Sequence, residues 1–287
     1  MKTVIIYNPN STGDSEANAR ALAKQLKAAN IDVLTIKTTH AGHGEEIAAQ
    51  YARSGEAIIL ISSSGDGGYH EVVNGALSLS SKKLIVGVLP SGNANDHYSA
   101  IGSGSLADSI EHKKFQRIDT IKVTSKIDGK PWVRFAHSYA GIGVAADAAK
   151  TLTEDRPNAL SEKWIVARAL FSFDYVKLKE KRKTRRYSSL LFGNINTMSK
   201  VLKLSDDASV KDGKFELSAI RFRSKIRLLL YFMSAATIGL KQSRSLKRAV
   251  YRTVDALPIQ LDGEVFVLDA NSKLKIESVK QNLHCVL

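Results

Sequence analysis

Three times in the first ninety residues, a short apolar run ends in a polar, glycine-bearing loop. Val4–Tyr7 leads into Asn8-Pro9-Asn10-Ser11-Thr12-Gly13. Ala57–Ser62 leads into Ser63-Ser64-Gly65-Asp66-Gly67-Gly68, and Leu84–Leu89 into Pro90-Ser91-Gly92-Asn93-Ala94-Asn95-Asp96. Runs this uniformly apolar suit strands buried on both faces. Between them, Ala19, Leu22, Ala23 and Leu26 recur at helical spacing within residues 15–29. Ile31–Ile36 reads as a further strand, and residues 44–53 and 69–79 read as helices. Strand and helix in alternation predict a parallel sheet with helices on both faces. Ligands of such sheets bind at the carboxyl ends of the strands, where these loops fall. Glycines let the backbone approach a phosphate, and a helix N-terminus offers it unpaired N–H groups. No lysine follows the glycines, so the loop is not of the Walker type.

The pattern changes after Asp119. Strand-like runs appear at Thr120–Ser125, Trp132–Tyr139, Ser188–Asn194, Phe215–Arg221, Pro258–Leu261 and Lys273–Ser278. Asp128-Gly129, Asp212-Gly213 and Asp262-Gly263 give turn signals between many of them, as in an antiparallel sandwich. Helical stretches are expected near 159–180 and 224–240. The reading is an α/β domain over residues 1–120, completed by 280–287, and a β-sandwich domain over 121–279.

The formal charge of +14, from 42 Lys and Arg against 28 Asp and Glu, points to an anionic partner. Residues 177–186 hold seven basic residues and one acid, and Arg221, Arg223, Lys225, Arg227, Arg244, Lys247, Arg248 and Arg252 follow. Such a cluster suits an anionic lipid surface, or else a solvated helix face. Zinc-site spacing and an aromatic-rich RNA-binding strand are both missing, so nucleic acid is not the expected partner. The single cysteine, Cys285, fits a reducing compartment. Met1–Tyr7 is too short for a signal peptide. Leu228–Leu240, the longest apolar run, is too short to span a bilayer, which takes about 20 residues. A cytoplasmic protein held peripherally at a membrane is expected.

In order along the chain, Asn8-Pro9-Asn10-Ser11, Ser64-Gly65-Asp66-Gly67, Glu71-Val72-Val73-Asn74-Gly75, Leu89-Pro90-Ser91-Gly92-Asn93-Ala94-Asn95-Asp96 and Asp262-Gly263-Glu264 resemble the diacylglycerol kinase catalytic-domain family, which also holds sphingosine and ceramide kinases. The match runs along essentially the whole chain. It implies an N-terminal fold like that of NAD kinase and phosphofructokinase. Two family threonines are replaced, by Gly68 and Asn93.

The resemblance implies an ATP- and magnesium-dependent lipid kinase. Diacylglycerol is the preferred acceptor, with a sphingoid base or ceramide as runner-up. A soluble-metabolite kinase of the NAD kinase type and a non-catalytic lipid- or nucleotide-binding protein are the other readings. By the same resemblance, Asn8, Pro9, Ser11, Gly13, Thr38, Ser64, Gly65, Asp66, Gly67, Gly68, Tyr69, His70, Glu71, Asn74, Ser91, Gly92, Asn93 and Asn95 surround the nucleotide. Asp66, Asp96, Asp119 and Asp262 form the acidic network for catalytic magnesium. Glu264 is the first choice of base and Asp66 the second. Asp96 and Asp147 face the acceptor, and Ser209, Asp212 and Lys214 hold a separate structural ion. Trp164, Ile165, Leu170 and Phe171 line an acyl pocket or else belong to the core. His70, His97 and His137 read as loop or packing residues. The lipid lies at an anionic membrane surface, and a second copy of the chain is admitted as a partner.

Overall fold

Apolar strands alternate with one-sided helices as far as residue 111, in the order β1 (Lys2–Tyr7), α1 (Ser15–Ala28), β2 (Val33–Lys37), α2 (His43–Ser54), β3 (Ile58–Ser64), α3 (Asp66–Leu77), β4 (Leu84–Pro90), α4 (Asp96–Ile101) and α5 (Leu106–Glu111). The computed structural model describes all residues except 12, 80–82, 94, 103, 148–174, 199–201, 204–207 and 223–242. The chain divides into two units, residues 1–120 with 280–287, and residues 121–279.

In the first unit the parallel order is β2-β1-β3-β4, with Val4 opposite Leu60 and Leu60 opposite Val86. All seven residues of β3 are buried, as its unbroken apolar run requires. Helix α1 turns Ala19, Leu22, Ala23 and Leu26 onto Ile5, Ile59, Ile61 and Ile85. Each such Leu or Ile contributes roughly 1.5–3 kcal/mol by leaving water. Asp14 caps α1 by accepting from the Ala17 amide at 3.0 Å. Gly55, at φ 68°, ends α2 in the left-handed region that glycine adopts at little cost.

Strands fill the second unit: β5 (Phe115–Ile127, entering from the first unit), β6 (Lys130–Ala136), β7 (Tyr139–Gly143), β8 (Val176–Glu180), β9 (Lys183–Gly193), β10 (Thr197–Met198), β11 (Leu202–Lys203), β12 (Phe215–Arg221), β13 (Ser243–Leu246), β14 (Arg248–Thr253), β15 (Leu257–Leu261), β16 (Glu264–Leu268) and β17 (Lys273–Val286, returning to the first unit). The order β16-β15-β7-β9-β8-β14-β17 is antiparallel throughout, and β12 pairs with β9 and β13. Phe192 sits edge-on to Phe215 and Tyr251 at 5.7 and 6.4 Å, in a core with Leu190, Ile259 and Ile276.

Three sequence expectations change. Residues 176–180 form strand β8 rather than the end of a helix; Val176-Lys-Leu-Lys-Glu alternates and pairs with Lys183–Tyr187 around a turn at Lys181 (φ 55°). The run expected over Trp132–Tyr139 breaks at His137-Ser138 into β6 and β7. Helix α3 starts at Asp66, inside the glycine loop, and not at Tyr69. The helix expected at 224–240, most of that at 159–180, the residues Trp164, Ile165, Leu170 and Phe171, and the bases Arg223, Lys225 and Arg227 lie outside the described residues.

Candidate active site

The loops after β1, β3 and β4 leave one edge of the parallel sheet and are tied together by their own backbones. The Gly13 amide donates to Ser91 O at 3.0 Å, the Ser91 amide to Ser64 O at 3.0 Å, and the Asn8 amide to Ser63 O at 3.3 Å. The Ser63 hydroxyl donates to Ser15 O at 2.8 Å and lies 3.2 Å from the Ser91 hydroxyl. Asn18, on α1, donates its side-chain amide to that Ser91 hydroxyl at 3.0 Å. Two glycines are needed for this closeness. A Cβ on Gly13 would lie 2.8 Å from Ser91 O, and one on Gly92 would lie 2.5 Å from the Gly65 Cα. Helix α3 opens at this junction from Gly65, an extended N-cap residue with no side chain to cap the helix. Its first N–H groups therefore have neither an intrahelical acceptor nor a capping side chain, the arrangement that receives phosphate.

Position 68 faces Ser64. A Cβ there would lie 2.6 Å from both Cβ and Oγ of Ser64, and 3.9 Å from the Ser62 hydroxyl. Ser64 fills that space, its hydroxyl 2.7 Å from Ser62 Oγ and 3.0 Å from Gly65 O. Ser64 thus places its own hydroxyl where a side chain at position 68 would stand.

Several residues assigned to the nucleotide have other tasks. Tyr69 is wholly buried, its ring 5.0 Å from His97 and its hydroxyl 3.7 Å from Cys285 Sγ. Glu71 reaches from α3 to the start of α2, accepting from the Gly42 and Gly44 amides at 2.7 and 3.0 Å. Its charge there complements the helix dipole. Asn74 is buried and donates to His70 O one turn back at 2.9 Å. Gly75 lets α2 approach, since a Cβ would lie 2.2 Å from Glu45 O. Within the Glu71–Gly75 motif, Glu71 and Gly75 thus seat one helix on another. Asn95 closes its own loop with Gly92, accepting at 3.0 Å and donating at 2.6 Å. Thr38 bonds to Tyr7 O through its amide at 2.9 Å and its hydroxyl at 3.3 Å. Asn8 accepts at its side-chain oxygen from the Asn10 amide at 2.9 Å, and Pro9, Ser11, Gly13, Gly67 and Asn93 remain at least partly open on the loops.

The carboxylates differ in what they hold. Asp66, at the first position of α3, accepts from the Asp96 and His97 amides at 3.2 and 3.3 Å, and so fixes the start of α4. Asp96 itself is buried. Asp119 is buried and accepts from the Gln281 amide at 2.7 Å, holding a residue of positive φ. In the second unit, Asp262 and Gly263 form a two-residue hairpin loop between β15 and β16, both at positive φ (51° and 100°). The Asp262 side chain turns inward and accepts from the His137, Ser138 and Tyr139 amides at 3.0, 2.9 and 3.1 Å. His137 Nε2 lies 3.4 Å from the same carboxylate. Glu264 follows on the exposed side of that hairpin. Asp147 lies in the helical turn 144–147 after β7 and is half-buried. Asp212 accepts from the Lys214 amide at 2.9 Å, and Ser209 Oγ accepts from the Lys211 amide at 3.3 Å.

Among the described residues no three His, Cys, Asp or Glu side chains gather to hold a metal ion. Of the acidic network expected for magnesium, Asp66, Asp119 and Asp262 each accept from backbone amides. Magnesium commonly takes one or two carboxylates, with water and substrate phosphates completing its shell. Asp66, half-buried at the first position of α3, fits that sparser demand although it too accepts from two backbone amides. The bracing residues Ser62 and Asn18 were missed in the sequence, where the serine run before Gly65 was the one available signal; His137, read there as a loop or packing residue, is buried beside Asp262.

Residues 2–125 match the family model for the diacylglycerol kinase catalytic domain. A curated diacylglycerol kinase from Bacillus subtilis (strain 168) is 27% identical over 293 residues, spanning 91% of this chain and 88% of that protein. The crystal structure of a diacylglycerol kinase from Bacillus anthracis str. Sterne superposes with a TM-score of 0.73 at 17% identity, covering 99% of this chain and 96% of that one. A second structure from the same strain gives 0.74 with the same identity and coverage. At that identity the structural likeness concerns the fold.

Proposed function

We infer from the match of residues 2–125 to the family model for the diacylglycerol kinase catalytic domain, and from the likeness to a curated diacylglycerol kinase, that the protein is a lipid kinase, transferring the γ-phosphoryl group of ATP to diacylglycerol. The observation that carries the nucleotide half of this reading is the junction of three glycine loops at the uncapped start of α3. Backbone N–H groups there would take the phosphates, with Asn8, Ser11 and Gly13 from the first loop beside them. Asp66 would hold a magnesium ion, whose charge would neutralise the transferring phosphoryl group.

In the transfer, the acceptor hydroxyl oxygen forms a bond to the γ-phosphorus while the bond to the ADP oxygen breaks. The hydroxyl proton passes to Glu264, our choice of base. Asp262 is a positioning residue: its three amide bonds fix the turn from which Glu264 projects. Asp147 is the candidate for the polar end of the lipid. No helix among the described residues is long and apolar enough to cross a membrane, so the acceptor would be met at a membrane surface.

The test is purified protein with labelled ATP and magnesium against detergent-dispersed diacylglycerol, sphingosine, ceramide and NAD. Labelled phosphatidic acid as the main product is expected. Transfer chiefly to sphingosine or ceramide would move the acceptor, transfer to NAD would overturn the lipid assignment, and nucleotide binding without any product would overturn the kinase.

A further inference from the structure

The register of the second unit gathers basic residues that are scattered in the sequence. Lys179 is opposite Thr184 on β9 and Arg252 on β14, and Arg252 is opposite Lys273 on β17, so these four side chains share a row and a face. Two residues along, Lys177 is opposite Arg186; on the other side Val250 is opposite Lys275, and Arg248 opposite Glu277. The intervening residues Leu178, Ala249, Tyr251, Leu274 and Ile276 are buried, which fixes this face as the outer one. Seven cations thus stand on one four-strand face with a single carboxylate, Glu277, which pairs with Lys275 at 2.6 Å and Arg248 at 3.6 Å. Within the run 177–186 the strand period selects Lys177, Lys179 and Arg186 for this face and sends Lys183 and Arg185 to the other. The selection is a matter of register and does not show in the charge run itself.

We propose that this outer face of β9-β8-β14-β17 is the surface by which the protein docks on an anionic bilayer. The proposal rests on the lipid-kinase reading, for it names the surface that would bring that enzyme to its acceptor. Strands in a sheet lie about 4.8 Å apart, so the four-strand face is roughly 15 Å wide and can set several cations against a plane of headgroups together. Each cation near such a surface strengthens binding about fivefold, and salt screens the effect. Single-stranded nucleic acid would want open aromatic rings for stacking. The rows named above contain none, and Tyr175 at their rim is taken up by the Arg186 guanidinium at 4.8 Å and by Phe222 at 5.1 Å.

The test compares the wild type with K177S/K179S/R252S/K273S and with a control of equal charge change, K24S/K27S/R53S/K113S. Each is sedimented with phosphatidylcholine vesicles containing phosphatidylglycerol, without nucleotide or acceptor, at several salt concentrations. The face variant should bind at least tenfold more weakly with a shallower salt dependence, while the control binds as the wild type does. Equal losses in both variants would reduce the effect to net charge and overturn the proposal, as would undiminished binding of the face variant. Tighter binding of a single-stranded oligonucleotide than of vesicles at the same salt, abolished by the same four changes, would replace the membrane by nucleic acid. Phosphorylation of detergent-dispersed diacylglycerol is read in parallel. The face variant should keep it, so loss of docking and failure of the kinase reading are told apart.

Discussion

Ser64 and Gly68 share one space, and only one of them can carry a side chain there. Gly68→Thr in the present background forces a Cβ to 2.6 Å from Ser64, an overpacking that costs about 1–3 kcal/mol. ATP affinity should fall about tenfold or more in that variant, and a few-fold in Ser64→Gly, which loses the bond to Ser62. The double variant should recover to within about threefold of the wild type, as titration calorimetry would measure; a double variant no better than Gly68→Thr would contradict the shared-space account. Asp262 gives a second prediction. Asp262→Ala leaves three buried amides without their acceptor, each at about 1–3 kcal/mol. Stability in urea should drop by roughly 3 kcal/mol or more, and an unmoved midpoint would refute the role given to its carboxylate. At this scale the motifs were legible but their tasks were not. Asp262-Gly263 reads equally as a hairpin turn and as half of an active-site signature, and the structure gives it both the turn and an inward anchor. Glu71 and Gly75 seat α3 against α2, a role that depends on where α2 runs.

Among the elements, β1 to β4 and helices α1 to α3 were legible from their apolar runs and helical spacing, whereas α4 and α5, six residues each, were not. The Leu22/Leu26 face of α1 lies where its spacing put it. The β8–β9 hairpin was not legible: Lys, Leu, Glu and Arg are good helix formers, and five alternating residues do not separate the periods. The contact between α2 and α3 turns on Gly75. Gly75→Ala should lower the melting temperature by several degrees, because Glu45 O belongs to the backbone and cannot move aside cheaply. Gly104→Ala, where nothing lies within 4 Å, should leave it unchanged; equal effects would contradict the packing argument. The end of β17 offers a probe of the first unit. Burial pushes the Cys285 thiol up to about 12, against an opposing hydrogen bond from Tyr69. A raised pKa means the thiolate is absent from the folded protein at pH 7 to 9. Alkylation should therefore be far slower across that range than in a denatured control, and should reach the control's rate only with denaturant. A native rate equal to that of the denatured control would show an accessible thiol.

At the scale of the whole molecule, the proposed function needs a phosphate-binding loop junction, a base and a cationic sheet face to meet the lipid surface. The charge excess was visible in composition, whereas the face that carries it required strand register. The central claim is phosphoryl transfer to a lipid hydroxyl with Glu264 as base. Its most direct measurement is the rate of labelled phosphatidic acid formation from ATP and detergent-dispersed diacylglycerol, for the wild type and Glu264→Gln, with ATP affinity measured alongside. The account predicts product from the wild type and a loss of about a hundredfold or more in kcat for the variant at unchanged ATP affinity. Absence of product from the wild type, or a variant that turns over at the wild-type rate, would contradict it.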